Sequence, residues 1–270
     1  MHSFNLKGKT IIVTGGTGVL GEVFVQSIAS AGGTVGILGR NENVANERAK
    51  KIVANGGTAI PLIADVTDEK QLTEACTKIL SVTGKIDGLV NAAGGNLPEA
   101  VVQPSADLFN LNIDAFKKVV DLNLFGTLLP TQVFGKEISK SDNGSIVNIS
   151  SMASQRALTK VLGYSLAKSA IDAYTRWFAV ELANRYSDKI RMNAIAPGFF
   201  LTEQNKSLLS NTDGSFTERG NAVIQQTPFK RFGNPAELAG ALVWLLSDAS
   251  SFVNGTIINV DGGFSAFSGV

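Results

Sequence analysis

Short apolar runs rich in β-branched residues alternate with longer segments of helical periodicity along the chain. The apolar runs predict strands at 10–14, 34–38, 58–64, 88–90, 145–149, 190–194 and 256–260. The periodic segments predict helices near 18–31, 42–55, 68–83, 114–140, 162–186 and 235–247. Strands that alternate with helices and are apolar throughout are typical of parallel sheets covered on both faces. The pattern therefore predicts one α/β domain over 1–270, with a doubly wound, seven-stranded parallel sheet.

Two stretches interrupt this alternation, one near 94–113 and the other near 199–230. Each follows a predicted strand, so each should lie at the carboxyl edge of the sheet, where open α/β sheets bind ligands. Loops of this length in a compact domain usually have a function. We expect both to be substrate loops.

Composition narrows the possible functions. Hydrophobic residues make up 44% of the 270 residues and the net charge is +1, so no strong field favours nucleic acid or an anionic membrane as a partner. No segment approaches the ~20 apolar residues of a membrane span. The one cysteine, Cys76, cannot form an intrachain disulfide, which favours a reducing, cytoplasmic location. The one histidine, His2, is too little for a Ser-His-Asp triad or the usual ligands of catalytic zinc, so we expect no metal.

A glycine-rich turn joins the first predicted strand to the first helix. Gly16, Gly18 and Gly21 fit the pattern G-x-G-x-x-G, in which small residues let the backbone approach a pyrophosphate at a helix N-terminus. A tight turn without a ligand is the alternative. A kinase-type phosphate loop is excluded because Glu22 and Val23 stand where that motif needs Lys and Ser or Thr.

The end of the second predicted strand bears on the choice of nicotinamide cofactor. NAD-binding proteins of this architecture place an acidic residue there, whereas this chain has Gly39 followed by Arg40. A guanidinium suits a 2′-phosphate, so NADP(H) is favoured over NAD(H), although Arg40 could also be a solvated surface charge. Asp65, after the third strand, could accept from the adenine amino group or cap the helix near 68–83.

Tyr164 and Lys168 are four residues apart in a helical pattern, so their side chains share one face. A phenol titrates near ~10 in isolation, and an adjacent cation favours the phenolate. The pair therefore suits proton transfer to or from an alcohol oxygen. A Tyr-x-x-x-Lys pattern alone has low specificity, but Ser151 ends the fifth predicted strand and brings a hydroxyl to the same edge.

Taken together, these motifs resemble the short-chain dehydrogenase/reductase family across nearly the whole chain. The matching elements are TGGTGVLG at 14–21, Asp65-Val66, Asn91-Ala92-Ala93-Gly94, Asn123, Ser151, Tyr164 with Lys168, and NAIAPG at 193–198 with Thr202. The resemblance implies a Rossmann-type fold and a nicotinamide-dependent oxidoreductase. One departure is visible: Val19 stands where the shorter members of the family have a glycine, which leaves the pyrophosphate geometry open.

The resemblance also implies roles for individual residues. Ser151 would polarise the substrate carbonyl, Tyr164 would be the acid/base, Lys168 would also bind the nicotinamide ribose, and Asn123 would fix a water in a proton relay. The cofactor would be held by Gly15, Thr17, Gly18, Val19, Leu20, Arg40, Asp65, Val66, Asn91, Ala92, Ala93, Gly94, Tyr164, Lys168, Pro197, Gly198 and Thr202. Ile195 would join the last three at the carboxamide.

Within that family, several stretches are similar to the subgroup of D-mannonate oxidoreductases (fructuronate reductases). They include AAGGN at 92–96, LTKVLGYS at 158–165, IAPGFFLTEQNKSLL at 195–209, TPFKRFG at 227–233 and VDGGFSAFSGV at 260–270. A sugar acid needs a cation and several neutral donors in its pocket. The candidates for substrate contact are Asn96, Ser151, Gln155, Arg156, Lys160 and Asn205, with Gln204 and Lys206 nearby; Phe199 and Phe200 argue for a less polar pocket.

Two other functions stay open. One is reduction of a different carbonyl substrate, such as a 3-oxoacyl carrier thioester or a polyol/ketose pair. The other is a non-catalytic dinucleotide sensor on the same fold, which should have lost Tyr164 or Lys168. Both residues are present, together with Ser151 and Asn123, which favours the enzyme.

Two structural expectations concern the long helices. Pro130 has no N–H for the carbonyl of Gly126, so the helix near 114–140 should be kinked or hold a water, turning Asn123 toward the cleft. The helices at 114–140 and 162–186 should carry outward apolar stripes. By resemblance to the family, they would pair with a second subunit in a homodimer or homotetramer.

Overall fold

A seven-stranded parallel sheet forms the centre of the protein. The computed structural model describes residues 4–201 and 206–269. The strands are β1 (Thr10–Thr14), β2 (Thr34–Gly39), β3 (Thr58–Ile63), β4 (Gly88–Asn91), β5 (Gly144–Ile149), β6 (Ile190–Pro197) and β7 (Ile257–Val260). Their order across the sheet is β3-β2-β1-β4-β5-β6-β7. The chain therefore reverses its direction of winding between β1 and β4, which places a ligand crevice at their carboxyl ends.

Helices connect the strands and cover both faces. They are α1 (Val19–Ser30), α2 (Glu42–Ala54), α3 (Glu69–Thr83), α4 (Ile113–Val120), α5 (Gly126–Ile138), α6 (Leu162–Arg185), α7 (Lys206–Leu209), α8 (Glu218–Gln226) and α9 (Ala239–Leu246). One core cluster joins α1, α2 and α9 to the sheet, and a second joins α3, α5 and α6 to it. The predicted doubly wound fold and seven-stranded parallel sheet are confirmed.

The predicted long helix near 114–140 is interrupted at its centre. A π-helical turn, Asp121–Phe125, separates α4 from α5 and carries Asn123. The interruption expected from Pro130 is present, but it lies one turn before the proline, which itself is buried inside α5. A π-helical turn widens the helix by one residue and is frequent at functional sites. Asn123 is fully buried there.

The two irregular stretches contain little regular structure. The first has one 3₁₀ turn, Pro98–Ala100, and the second contains α7 and α8. The last predicted helix begins as a 3₁₀ turn, Pro235–Leu238, because Pro235 can start a helix but cannot donate within one. Among the described residues, no helix has the length and apolar character to cross a membrane. In that same part of the chain, no three His, Cys, Asp or Glu side chains cluster for a metal ion.

Candidate active site

The glycine-rich turn lies at the carboxyl end of β1, against the end of β4. Gly15 has φ +63°, and a Cβ there would lie 2.8 Å from the carbonyl oxygen of Ala92, so both conformation and space require glycine. Gly18 is the N-cap of α1, which begins at Val19. Val19 thus occupies an ordinary first helical position. The free N–H groups of the first turn of α1 remain available for a pyrophosphate.

Arg48 of α2 holds this turn from behind. Its Nη1 donates to the carbonyl oxygens of Gly16 at 2.6 Å and Gly18 at 2.8 Å, and its Nη2 donates to Glu22 at 3.0 Å. The side chain is only 13% exposed. Sequence reasoning missed Arg48 because it lies thirty residues beyond the turn, in a helix that reads as an ordinary charged surface.

A cleft of about 260 Å³ runs along this edge of the sheet. It brings together eleven of the predicted cofactor residues, Gly15, Thr17, Gly18, Val19, Leu20, Arg40, Asp65, Val66, Ala92, Ala93 and Gly94, and also contains Leu122. At the end of the cleft next to β2, a Cβ at Gly39 would lie 2.8 Å from Thr17 Cγ2, so a side chain there would displace Thr17. The 76%-exposed side chain of Arg40 lies beside this glycine.

Asp65 lies across from Arg40, whose Nη1 approaches its carboxylate at 3.5 Å. Burial alone would raise the pKa of Asp65, but hydrogen bonds from Thr67 and the Arg40 guanidinium hold it below its ordinary value. The alternative of a helix cap is wrong, because Asp68 caps α3 by accepting from Gln71 N at 3.0 Å. The Asp65 carboxylate therefore stays at the cleft.

The floor of the cleft comes from the end of β4. Thr14 Oγ1 accepts from Ala92 N at 3.1 Å and Ala93 N at 3.2 Å, which fixes the floor against β1. The side chain of Asn91 points away from the cleft and donates to Thr131 and Asn148, both at 2.9 Å. Any contact of Asn91 with a cofactor would therefore be through its backbone.

Ser151 and Tyr164 lie together between the end of β5 and the start of α6. Ser151 follows β5 and its Oγ accepts from Ala153 N at 3.1 Å, so its hydroxyl hydrogen is free for another acceptor. Tyr164 stands near the start of α6 and its phenol is hydrogen-bonded to Ser151. Burial raises the pKa of Tyr164, while the hydrogen bond from Ser151 acts in the opposite direction.

Lys168 lies one turn after Tyr164 on the same face of α6. Its side chain is buried, and Nζ donates to the carbonyl oxygen of Ile149 at 2.7 Å. Nζ lies 5.4 Å from the centre of the Tyr164 ring. Burial lowers the pKa of Lys168 to about 8, against the attraction of Asp172, which raises it. The structure thus brings together the three predicted side chains Ser151, Tyr164 and Lys168.

Asn123 approaches the cleft residue Gly94 from the π-helical turn: its Oδ1 would lie 2.6 Å from a Cβ at Gly94. Its Nδ2 donates to the carbonyl oxygens of Gly95 and Val119, both at 2.7 Å, and its Oδ1 accepts from Gly95 N at 3.1 Å. The side chain therefore fixes the start of the loop after β4. The amide is occupied by backbone groups, so a role in a water relay would fall to other atoms of the residue.

The end of β6 packs against the end of β7. Gly198 N donates to Val260 O at 2.9 Å, and a Cβ at Gly198 would lie 2.6 Å from the Asp261 backbone. Pro197 is buried beside it, and Ile195 is fully buried within the strand. The predicted Thr202, Gln204 and Asn205 lie outside the described residues.

The substrate candidates between Ser151 and Tyr164 divide into two groups. Gln155 exchanges two hydrogen bonds with Asn259, at 2.8 and 2.9 Å, and Arg156 donates to the carbonyl oxygen of Ser265 through Nε at 2.9 Å and through Nη2. Both side chains thus fasten the C-terminal segment, and their contact with a substrate stays a prediction.

Lys160 differs from these two. Its backbone is left-handed, with φ +75°, and its carbonyl accepts from Val102 N at 3.0 Å, which joins it to the loop after β4. A non-glycine residue held in this conformation costs about 1 kcal/mol or more and such strain clusters at functional sites. Asn96, in the same loop, is exposed, as is Lys206 at the start of α7.

Comparison with known proteins decides the family. Residues 18–265 match a family model described as Enoyl-(Acyl carrier protein) reductase, a group within the short-chain dehydrogenases/reductases. The chain is a short-chain dehydrogenase/reductase. As in that family, it is an oxidoreductase that uses a nicotinamide cofactor.

Three relatives show where this short-chain dehydrogenase/reductase stands in its family. It is 44% identical to an uncharacterized oxidoreductase, UxuB, of Bacillus subtilis, over 98% of both chains. It is 40% identical to a Haemophilus influenzae protein solved with bound NAD, whose assignment as a D-mannonate oxidoreductase is provisional; the TM-score is 0.92 over 98% of both chains. A gluconate 5-dehydrogenase of Burkholderia cenocepacia, solved with NADP and tartrate, is 31% identical, with a TM-score of 0.86 over 98% of both.

Proposed function

We propose that this protein interconverts a ketone and a secondary alcohol on a sugar acid of the fructuronate/D-mannonate type, with NADP(H) preferred over NAD(H). The observation that carries the reaction type is the convergence of Ser151, Tyr164 and Lys168 beside Gly94, which lines the cleft. The cofactor, when bound, supplies or accepts a hydride. The protein side chains beside the nicotinamide must therefore transfer the proton.

Each of the three side chains has a distinct part in that proton transfer. Ser151 Oγ accepts from Ala153 N, and its hydroxyl hydrogen, which is directed to Tyr164 in this structure, can be donated to the substrate oxygen when substrate binds between them. Tyr164 then gives its proton to the same oxygen as negative charge develops there. The Lys168 cation beside the ring stabilises the phenolate that remains.

The pKa directions favour the reducing direction near neutral pH. Burial raises the pKa of Tyr164, so the phenol holds its proton and is ready to act as an acid. Lys168, with a pKa of about 8, is still mostly charged at pH 7. Oxidation of the alcohol needs the phenolate and should therefore have its optimum at a more alkaline pH.

The preference for NADP(H) rests on the adenosine end of the cleft. Position 39 has a glycine in place of the acidic residue that would bind the ribose of NAD, and a side chain there would have to displace Thr17. The exposed Arg40 guanidinium and the N-terminus of α2, which begins at Glu42, both favour an anion there. The relatives include one solved with NAD and one solved with NADP, so affinities for NADPH and NADH must decide the matter.

The sugar-acid substrate is supported by the relatives and by the residues between Ser151 and Tyr164. One relative is a gluconate 5-dehydrogenase, and another has a provisional assignment as a D-mannonate oxidoreductase. Because Arg156 fastens the C-terminal segment, Lys160 is the stronger candidate to bind the substrate carboxylate. Asn96 and Asn205 stay our candidates for the hydroxyl groups.

Turnover of fructuronate with NADPH, and of D-mannonate with NADP, tests this proposal against a panel of keto-acids, polyols and a 3-oxoacyl thioester. Lys160→Ala should lower kcat/KM for the acid by about tenfold, since the side chain is only partly buried, and leave the neutral alcohol analogue nearly unchanged. Asn96→Ala, which removes a proposed hydroxyl contact and no charge, should lower kcat/KM for the acid and for the neutral analogue alike. Faster turnover of the thioester or a polyol than of any sugar acid would overturn the substrate assignment and leave the reaction type intact.

The proposed assembly is a homodimer or homotetramer. Large apolar side chains on and around α4 and α6 are exposed, including Ile113, Phe125, Leu166, Trp177 and Val180. A surface of this kind usually marks an interaction site. Light scattering at micromolar concentration should give a mass of two or four chains, and a monomer would refute it.

A further inference from the structure

Asp172 is a buried carboxylate that the proposed proton transfer does not use. It is 5% exposed and stands four residues after Lys168 on α6. Tyr164, Lys168 and Asp172 therefore lie one turn apart along a single face of the helix. An ionisable side chain at such a position is costly unless its oxygens have partners.

Both oxygens of Asp172 have partners in the segment that carries Ser151. Oδ1 accepts from Ser150 Oγ, and Oδ2 accepts from Ser154 Oγ at 2.7 Å. Ser154 Oγ is also 2.6 Å from the carbonyl oxygen of Ser151. The Asp172 carboxylate thus binds Ser150 and Ser154, and Ser151 lies between these two anchored residues.

Lys168 makes a parallel connection to the same segment. Its Nζ donates to Ile149 O, so residues 149, 150 and 154 are all tied to α6. The position of the Ser151 hydroxyl relative to Tyr164 depends on how the end of β5 sits against this helix. Asp172 is one of the side chains of α6 that set that position, with Lys168, with Ser169, whose Oγ lies 3.2 Å from the carbonyl oxygen of Ser154, and with Thr175, which accepts from Asn148 Nδ2 at 2.9 Å.

Asp172 is also the charged neighbour of Lys168. The other titratable group facing Lys168 is Tyr164, on the same helix. The packed elements around it contribute the Ile149 carbonyl from β5, Gly94 from the loop after β4, and the neutral Asn123 from the π-helical turn. Within the part of the chain that is described, Asp172 alone gives Lys168 a negative partner.

We infer that Asp172 is a positioning residue for the reaction: it fixes the Ser151 segment against α6 and sets a carboxylate one turn from Lys168. This rests on the proposed roles of Ser151, Tyr164 and Lys168. It does not depend on which carbonyl compound is the substrate.

The two parts of the inference can be separated by three variants. Ser154→Ala removes one hydrogen bond but leaves the charge, so kcat should fall about tenfold while the pH profile keeps its shape. Asp172→Asn removes the charge, so kcat should fall further, by about 10- to 100-fold. In the Asp172→Asn variant, the alkaline limb of the pH profile for reduction, where the rate falls as pH rises, should also move down by about one pH unit, because Lys168 then loses its proton more easily. Asp172→Glu restores the charge and should return the limb to its original position.

The assay is carbonyl reduction with NADPH, using fructuronate and, as a probe that needs no sugar-acid pocket, diacetyl. Dinucleotide affinity and thermal midpoint are measured for every variant, and Glu181→Gln, which alters an exposed pair on the same helix, is the control with unchanged rates. Tyr164→Phe is run in parallel.

The outcomes separate the two claims. If Tyr164→Phe is inactive but Asp172→Asn has a normal kcat and an unmoved limb, this inference is wrong and the proposed function stands. If Tyr164→Phe is fully active, the proposed mechanism itself fails. If Asp172→Asn does not fold, Ser154→Ala decides: a normal kcat in that variant overturns the positioning role.

Discussion

We expect the buried cation of Lys168 to lower the free energy of unfolding, and replacing Lys168 by Met tests this directly. Its side chain is 4% exposed, and burial lowers its pKa from 10.5 to about 8. At about 1.4 kcal/mol per pH unit, a fall of that size in the pKa of Lys168 lowers the free energy of unfolding at neutral pH by about 3 kcal/mol. Met has a similar length and no charge, so Lys168→Met removes this cost.

Part of the gain is lost again. The substitution leaves the Ile149 carbonyl without its donor, which costs about 1 to 2 kcal/mol in a buried position. The expected net effect is an increase of about 1 to 2 kcal/mol in the free energy of unfolding at pH 7, in a protein that has lost its activity. Stability and function conflict at active sites for this reason.

The direction of the pKa shift of Lys168 determines how the stability gained by Lys168→Met changes with pH. The pKa of Lys168 is lower in the folded state than in the unfolded state, so between pH 8 and 10.5 the unfolded chain binds more protons, and stability rises with pH. The advantage of Lys168→Met should therefore shrink by about 1 kcal/mol between pH 7 and pH 9. Urea denaturation at both pH values measures it, with the exposed Lys50→Met as control. A destabilised variant, or an advantage that does not change with pH, would refute the reasoning.

Three further predictions follow from the site. Arg48→Met should weaken binding of NADPH and of ADP by about tenfold and leave binding of adenosine nearly unchanged, because only the glycine-rich turn loses its hydrogen bonds from Arg48. Equal losses of affinity for all three ligands in calorimetry would argue against this role. Arg40→Ala should raise the Kd for NADPH by about fivefold and leave the Kd for NADH unchanged. The expected effect is this small because the Arg40 side chain is mostly exposed to solvent. An equal change in both Kd values would count against a 2′-phosphate contact. Cys76, whose pKa burial raises to about 11, should react with a thiol reagent at pH 7.5 far more slowly in the native than in the urea-unfolded protein; equal rates would contradict its burial.

The alternation of strands and helices and much of the composition of the cleft could be predicted from sequence because they depend on local signals. Each strand is a short apolar run, and Gly15, Tyr164 and Lys168 lie within recognisable spacings. The π-helical turn could not be placed, since Pro130 indicates only that a helical hydrogen bond is missing somewhere nearby.

The side chains that support the site from a distance escaped prediction. Arg48 and Asp172 act through tertiary contacts, on residues thirty and twenty-two positions away, and neither has a motif of its own. Arg156 was assigned to the substrate because it lies between Ser151 and Tyr164. The contact that occupies it, Ser265, is 109 residues further along the chain and carries no sequence signal.

The central claim is that Tyr164 transfers the proton in a nicotinamide-dependent reduction. The most direct test is Tyr164→Phe, assayed for fructuronate and diacetyl reduction with NADPH, alongside its affinity for the cofactor. The account predicts that kcat falls by about a hundredfold or more, because only the transferable proton is removed, while the Kd for NADPH changes by less than about twofold. A variant that binds NADPH normally and retains near-full kcat would contradict it.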